Sequence, residues 1–521
     1  MPIPTYGPWP PPTYAPAYDA YRDWDAWYTG SADRLRDVYA GRGSTDQRLR
    51  PSQRHYPGQH AGGIIGRFSR WLWGTPSPAD RRDGRLHIPL PADLAATSAN
   101  LLFSEPPALT HPDTNVTARL EQLQSDGLAT VLLHAAEAAS ALGDVYLRPV
   151  IDRDVYPDRA LLTAVHADGA LPTIRWGHIL EVTFWSTVLV DGPTHLRLLE
   201  HHDVTGGAGR ITYALHQGTL DQLGRPIPYT EHPDTAYLAA LVDETGAQDT
   251  GLDRLDVVRI PNAGPQRLWR TVPGLKYLGR SDFDGAEPLF DRLDEVWTSW
   301  MRDIRLAKAR ITVPDTMLQA AGPGQGAFFD ADREVYSALN TLPKDMAGGL
   351  TVTQFAIRHV EHKATADALV DTVLRHAGLS AQTVGTRGDV QITATEVQSN
   401  ERQSFATRGN RIQPWRPGIA DAVHLLLTVE QAKLGAQVGP VRPNVEFGDS
   451  VSESPETTAR TVQMLAAAEA VSIETRIRMV HPEWGTPEVT AEVQRIRDDM
   501  GGGPPPADTL NSLAGQEATG G

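Results

Sequence analysis

The stretch DGAEPLFDRLDEVWTSWMRDIRLAKARITV, residues 284–313, carries the most regular helical pattern in the sequence. Its apolar side chains recur at helical spacing and predict one packed face; they are Leu289, Leu293, Val296, Trp297, Trp300, Ile304 and Ala307. Asp284 followed by Glu287 predicts a capped start, and the β-branched run before Pro314 predicts the end. We expect a helix of about 25 residues, roughly 37 Å long. Its apolar stripe is wider than one small core needs, although a long helix buried in a monomer is the simpler alternative.

Composition excludes several classes of protein. The chain has 521 residues, is 40% hydrophobic and carries a formal net charge of −16. It has no cysteine, which excludes disulfide scaffolds, thiolate zinc sites and cysteine nucleophiles. No apolar run approaches the roughly 18 residues of a membrane span, and the N-terminus lacks the features of a signal peptide. The acidic surplus argues against a tight grip on nucleic acid, but not against DNA sliding past.

Taken in order, the chain predicts a helical layer followed by an antiparallel one, an α+β class. Residues 1–17, rich in proline and aromatic side chains, predict an extended arm that docks on a neighbouring subunit or stays disordered. From Gly143 onward, short β-branched runs between turn signals predict an antiparallel meander. Helical patterns are expected at 19–39, 90–103, 113–141, 353–376 and 394–433, with short helices after residue 456. Pro414 and Pro417 should bend or break the last long helix.

A search for catalytic chemistry finds little. The glycine-rich run at residues 322–326 lacks the lysine of a phosphate loop and reads as a connector. The best metal candidates are two histidine clusters, His201-His202-Asp203 and His359 with His362, but neither has the HExxH arrangement. Surface histidines are the simpler interpretation. We therefore predict no catalytic residue, no metal site and no cofactor, and hence no enzyme.

Several phrases, and their order, resemble portal proteins (head-to-tail connectors) of long-tailed double-stranded DNA bacteriophages. The matching stretches lie at residues 95–107 (AATSANLLFSEPP), 143–150 (GDVYLRPV), 279–314, 378–385 (GLSAQTVG), 393–415 (TATEVQSNERQSFATRGNRIQPW) and 445–475. Together they cover most of the chain from about residue 90 to 500. None is a catalytic signature, so the resemblance depends on their number and order.

The resemblance implies a portal fold with wing, stem, clip and crown parts, assembled as a dodecameric ring. The implied divisions are an N-terminal arm and helix (1–45), a wing (46–284), a first stem helix (285–312), a clip (313–352), a second stem helix (353–379), a tunnel loop (380–392), a bent long helix with a wing strand (393–452), crown helices (453–500) and a flexible tail (501–521). The arm and the tail depart from the shared pattern, so no role is assigned to them.

The resemblance also implies roles for residues. The tunnel loop would present Ser380, Gln382, Thr383, Thr386, Arg387 and Asp389. The stem would pack through Leu289, Leu293, Val296, Trp297, Trp300 and Ile304. Transient contacts with DNA phosphates would come from Arg302, Arg305, Lys308 and Arg310, for which salt bridges between subunits are an equal alternative.

The implied function is a channel at the capsid vertex for DNA packaging and ejection. Implied partners are further copies of the chain, the terminase large subunit, a head-completion adaptor, the major capsid and scaffolding proteins, and double-stranded DNA passing non-specifically, with no membrane. The implied location is the virion, reached from the host cytoplasm during assembly. Two alternatives stay open: another head-tail adaptor or tail protein, and a metal-dependent hydrolase using His201, Asp203 or His359.

Overall fold

A computed structural model defines the fold. It describes residues 4, 6–46, 85–306, 310–312, 319–320, 327–328, 351–353, 357–381, 394–448, 455–468, 470–481 and 484–501. The chain forms two compact units, Met1–Gly448 and Asp449–Gly521. Helices and antiparallel sheets are both present, so the predicted α+β class is confirmed.

The N-terminal part is helical. Its helices are α1 (Ala15–Thr29), α2 (Ala32–Asp46), α3 (Leu90–Phe103), α4 (Thr114–Ser125) and α5 (Leu128–Leu142). Two predictions were wrong here. The helix expected at 113–141 is two helices, because Gly127 adopts φ +95° and this left-handed conformation cannot continue a right-handed helix. The helix expected at 19–39 is also two helices, α1 and α2, because Gly30 between them adopts φ +62°. Helix α1 begins earlier than expected, at Ala15, since Pro16 lies in its first turn, where a missing N–H does no harm.

The strands follow the predicted meander. They are β1 (Ala108–Thr110), β2 (Asp144–Val150), β3 (Leu161–His166), β4 (Ala170–Arg175), β5 (His178–Asp191), β6 (Thr194–Thr205), β7 (Ala208–Thr219), β8 (Gln222–Ile227), β9 (Ala247–Asp249), β10 (Val258–Pro261), β11 (Arg310–Thr312), β12 (Gln319–Ala320), β13 (Ala327–Phe328), β14 (Thr351–Thr353) and β15 (Asn444–Glu446). The largest sheet has the order β4-β5-β6-β7-β8, with β9 also paired to β7. Smaller antiparallel sheets join β10-β2-β3, β1-β15, β11-β14 and β12-β13.

The remaining helices are α6 (Pro233–Ala236), α7 (Glu287–Leu306), α8 (His359–Ala377) and α9 (Ala394–Val429) in the first unit, and α10 (Pro455–Ala467), α11 (Ile473–Val480) and α12 (Thr486–Gly501) in the second. Of the bend or break expected at Pro414 and Pro417, the break is absent, because α9 is continuous through both prolines. Trp415 and Ile419 are fully buried beside these prolines, and their packing holds the helix together. It closes in a π-helical turn, Glu430–Leu434.

Two apolar clusters form most of the core. The first joins α1, α2, α3, α7 and α8 around Trp24, Trp27 and Phe290. The second joins α4, α5, β2 and α9 around Leu132 and Trp415.

The N-terminal arm belongs to this chain's own sheet. Trp9 is buried against Leu171, Leu199 and Leu223, and its backbone N–H donates to the Asp221 carbonyl at 2.9 Å. The expectation that the arm docks on a neighbouring subunit is therefore not met by Trp9. The sheet of the same chain already covers this side chain.

Candidate functional site

Helices α7 and α8 form a hairpin that we call the stem hairpin, together with β11 and β14. The strand that follows α7 pairs with the strand that precedes α8, with Ile311 opposite Val352. Asp303, near the end of α7, contacts Arg358 at 3.1 Å and His362 at 3.0 Å near the start of α8. These contacts hold the distal ends of the two helices together.

The proximal half of α7 is fixed to the core by a buried carboxylate. Asp294 is 1% exposed and accepts hydrogen bonds from the Tyr39 hydroxyl at 2.6 Å and the Ile88 backbone N–H at 2.9 Å. The His87 ring lies 3.0 Å from it. Burial and the bond to Asp294 raise the pKa of Tyr39, which keeps this hydroxyl a donor. The apolar pattern of residues 284–313 does not include Asp294, so its burial could not be predicted from that pattern.

The distal half of α7 carries an aromatic stack. The rings of Trp297 and Trp300 stack at 5.0 Å, and the His362 ring lies parallel to Trp300 at 6.0 Å. His362 and Arg358 donate to Asp303 and lower the pKa of this carboxyl. His362, considered as a metal ligand on sequence grounds, is thus held by stacking and by one carboxylate.

The six predicted stem residues differ in how far their own chain covers them. Leu293 is buried, and Leu289, Val296 and Trp297 pack partly buried against the first core cluster. Trp300 is half-buried in the aromatic stack. Ile304 is 42% exposed.

Two further aliphatic side chains are exposed at the same end of the stem hairpin. Ile357 is 38% exposed and Val360 is 63% exposed, and both flank the Arg358 that contacts α7. With Ile304 they form what we call the distal apolar end. The amphipathic pattern of α7 had indicated only its own residues, because Val360 lies on α8 and Ile357 lies just before it.

The predicted tunnel and DNA-contact residues are only partly within the described chain. Ser380 is 8% exposed, and its backbone N–H donates to the Ser404 hydroxyl at 2.9 Å. Arg302 is exposed on α7. Outside the described residues or side chains lie Gln382, Thr383, Thr386, Arg387, Asp389, Arg305, Lys308 and Arg310, as well as the connector at 322–326, most of the clip and the tail beyond residue 501.

The first histidine cluster is internal, so its interpretation as surface histidines was wrong. His202 is 1% exposed and lies between Asp256 at 2.8 Å and Glu200 at 3.1 Å. Burial alone would lower the pKa of His202, but the two carboxylates outweigh it and raise that pKa to about 9. Burial also opposes ionisation of Glu200, yet His202 and Arg148 lower its pKa to about 2. The group is therefore a closed ion network.

The other members of the histidine clusters do not converge. The His201 ring lies 2.8 Å from the Thr183 hydroxyl, and burial lowers its pKa to about 4. His359 is exposed at the start of α8. Within the described parts of the chain, no three histidine or carboxylate side chains are grouped so that they could hold a metal ion.

A polar cluster that the sequence did not indicate lies where the stem hairpin joins the core. Asp282 is buried and accepts from Ser98 at 3.1 Å, Ser140 at 2.5 Å and Arg411 at 2.7 Å. Asn262 donates to its other oxygen at 3.0 Å. The carboxylate thereby connects α3, α5, the residue that follows β10, and α9, five residues before α7 begins. The Asp282 cluster therefore fixes to the core the point at which the stem hairpin begins.

Among the described helices, none is long and apolar enough to cross a bilayer. No protein-family model matches the chain, and no curated protein matches it. Among solved structures, it is similar to a chain of the neck of the native GTA particle, computed with C12 symmetry. The two chains are 13% identical, with a TM-score of 0.39, and the match covers 80% of this chain and 99% of the other. A likeness of this extent establishes no shared function.

Proposed function

We propose that the chain is the subunit of a portal ring at the capsid vertex of a tailed phage or phage-like particle. The ring would form the channel through which DNA is packaged and ejected. Two independent features support the proposal: the ordered resemblance of sequence segments over residues 90–500, and the distal apolar end of the stem hairpin. The second feature carries most weight, because it is an apolar surface that the single chain leaves exposed.

The distal apolar end is suited to being buried against a second copy of the chain. Ile304, Ile357 and Val360 are exposed at 42%, 38% and 63% on a hairpin whose other end is anchored by Asp294. Clustered exposed aliphatic side chains mark surfaces that associate. A hairpin fixed at one end and apolar at the other suits a ring wall, in which each stem packs on the next.

The charge of the chain suits a conduit. A net charge of −16, repeated in every subunit, would keep DNA from adhering to the channel while it moves. In this proposal Arg302, Arg305, Lys308 and Arg310 make brief phosphate contacts. Residues 380–392 would line the tunnel.

The domain division and partners follow from the same proposal. Residues 313–352 would form the clip that docks the terminase large subunit and later the head-completion adaptor. Residues 46–284 would form the wing, which meets the capsid and scaffolding proteins. The helices within 453–500 would form the crown.

Mass photometry and negative-stain microscopy of the purified full-length protein test the proposal. We expect a closed ring with an axial channel. A stable monomer at micromolar concentration would contradict the proposal, and a ring without a through-channel would favour another adaptor or tail protein.

A further inference from the structure

Charge is segregated in the chain between β8 and α7. Residues 228–249 contain Glu231, Asp234, Asp243, Glu244 and Asp249 and no lysine or arginine. Residues 257–281 contain Arg259, Arg267, Arg270, Lys276 and Arg280 and no carboxylate. Ordinary solvated surfaces intersperse the two signs, so such blocks indicate interaction surfaces.

The two blocks lie at opposite edges of the large sheet. The acidic block includes β9, which pairs with β7, and the Tyr229 hydroxyl donates to the Tyr213 carbonyl of β7 at 2.7 Å. The basic block reaches β4, because Arg270 and Lys276 line one cleft with Arg175 and Trp176 at the β4–β5 turn. β4 is the edge strand, so β5, β6 and β7 separate it from β9. The separation is about four strand spacings, roughly 19 Å.

The basic surface, which we define as Arg175, Trp176, Arg270, Lys276 and Tyr277, surrounds a shallow cleft of about 570 Å³. Arg175, Arg270 and Lys276 are exposed, and none of them has a carboxylate within salt-bridge distance in the described part of the chain. Trp176 is 82% exposed. The chain therefore presents an aromatic side chain among cations whose charge it does not neutralise.

The backbone of Trp176 makes this exposure notable. It has φ +55° and is followed by Gly177 with φ +84°, the two central residues of a tight hairpin turn. Asparagine and glycine suit such positions, whereas a bulky residue there is strained. Neither the strain nor the exposure stabilises the isolated subunit. Strained residues of this kind are concentrated at functional surfaces.

The acidic surface, which we define as Glu231, Asp234, Tyr237, Leu241 and Glu244, also combines charge with exposed apolar side chains. Tyr237 is 59% exposed and Leu241 is 50% exposed. All three carboxylates are exposed. Like the basic surface, the acidic surface combines exposed charged side chains with an exposed aromatic side chain, but its charge has the opposite sign.

We infer that the basic surface of one copy docks on the acidic surface of the next. The inference rests on the proposed ring, and it adds which surfaces meet. Trp, Tyr and Arg are the residue types that dominate binding energy at protein interfaces, and complementary charge selects the partner and its orientation. Two different complementary surfaces at opposite edges of one sheet generate a head-to-tail contact, which closes into a ring when the rotation between neighbouring copies closes.

Charge reversal in the full-length protein tests the inference. One variant carries R175E and R270E, a second carries D234K and E244K, and a control carries R36E and R153E on exposed surface elsewhere. Mass photometry measures the ring fraction. We expect each of the first two variants to lose ring about tenfold or more, since like charges oppose each other across the contact. The control should assemble like the wild type.

Mixing the two charge-reversal variants shows whether a loss of rings comes from lost charge complementarity or from misfolding. The first variant has two acidic surfaces and the second has two basic ones, so an equimolar mixture should regain rings of alternating subunits. Trp176→Gly provides a further check, because glycine suits φ +55°. The subunit should melt at the same temperature or higher, while the ring fraction falls.

The outcomes distinguish this inference from the proposed function. A monomeric wild type overturns both. A ring-forming wild type whose assembly survives both reversals overturns only the docking surfaces. If R175E with R270E lowers DNA retention on a filter but leaves the ring mass unchanged, the basic surface contacts nucleic acid and the inference is wrong.

Discussion

Truncating Ile304 and Val360 together to alanine tests whether the distal apolar end of the stem hairpin is buried between subunits. Both side chains lie on helices, and in the single chain Ile304 is 42% exposed and Val360 is 63% exposed. Alanine has the highest helix propensity, which offsets part of the packing that the subunit loses where these side chains are covered. The contact is tested by the loss in assembly beyond any change in subunit stability.

The magnitude follows from the exposed fractions. Ile304→Ala removes three carbons and Val360→Ala two, and burying each is worth about 0.8 kcal/mol. Scaled by exposures of 42% and 63%, each substitution removes about 1 kcal/mol from one subunit contact. The pair therefore weakens each contact by about 2 kcal/mol, roughly thirtyfold in its association constant.

Mass photometry over a dilution series measures how tightly the subunits associate. Thermal unfolding of the dissociated subunit measures its stability. The matched control is Phe290→Ala, which removes a side chain that is 1% exposed in the first core cluster. That change should lower the free energy of unfolding of the subunit by about 3 to 5 kcal/mol, and its melting temperature should fall accordingly. If I304A with V360A leaves ring dissociation unchanged, the distal apolar end does not lie in a subunit contact and the reasoning fails.

Three other changes have defined outcomes. Asp294→Ala leaves the Tyr39 hydroxyl and the Ile88 N–H without their acceptor, so urea unfolding should show a loss on the order of 3 kcal/mol; an unchanged midpoint would refute the anchoring role. The pKa of His202 is about 9 in the folded protein, against 6.5 in the unfolded chain. Its contribution to the free energy of unfolding, roughly 3 kcal/mol, is therefore complete below pH 6.5 and is lost as the pH rises through 9. His202→Gln should unfold with a flatter pH dependence over that window, and parallel profiles would count against the ion network. Deleting residues 382–392 should leave rings intact but reduce DNA packaging, whereas failure to assemble would give this segment a structural role.

The long-range contacts explain which helix boundaries could be predicted. The core of α7 was predictable because its apolar period persists over several turns. Its end was not, since Ile311 pairs with Val352 and this distant partner draws the chain into a strand after Leu306. The split at Gly127 was missed because the apolar pattern continues on both sides of it.

Strand β4 could not be predicted from its own residues, for a related reason. Its sequence, ALPTIR, contains Pro172, which argues against a strand within a sheet. The strand lies at the edge, where a missing N–H is tolerated. Edge position depends on the order of the strands, which short-range patterns do not contain.

The buried polar partners were the least predictable part. Asp282 meets Ser98 across 184 residues and Arg411 across 129, and His202 meets Asp256 across 54. A carboxylate or histidine in isolation looks the same in the sequence whether it is solvated or paired. Only the fold brings these groups together, so surface histidines were the wrong interpretation of His201 and His202.

The overall charge of the chain constrains how copies could associate. Subunits that each carry −16 repel one another, so close contacts need either apolar surface or local charge of opposite sign. The stem hairpin supplies the first at Ile304, Ile357 and Val360. The segregated charge of residues 228–281 supplies the second. Because the acidic and basic surfaces occupy different edges of one sheet, their attraction favours a head-to-tail order, while the apolar end of the hairpin adds affinity that salt does not screen.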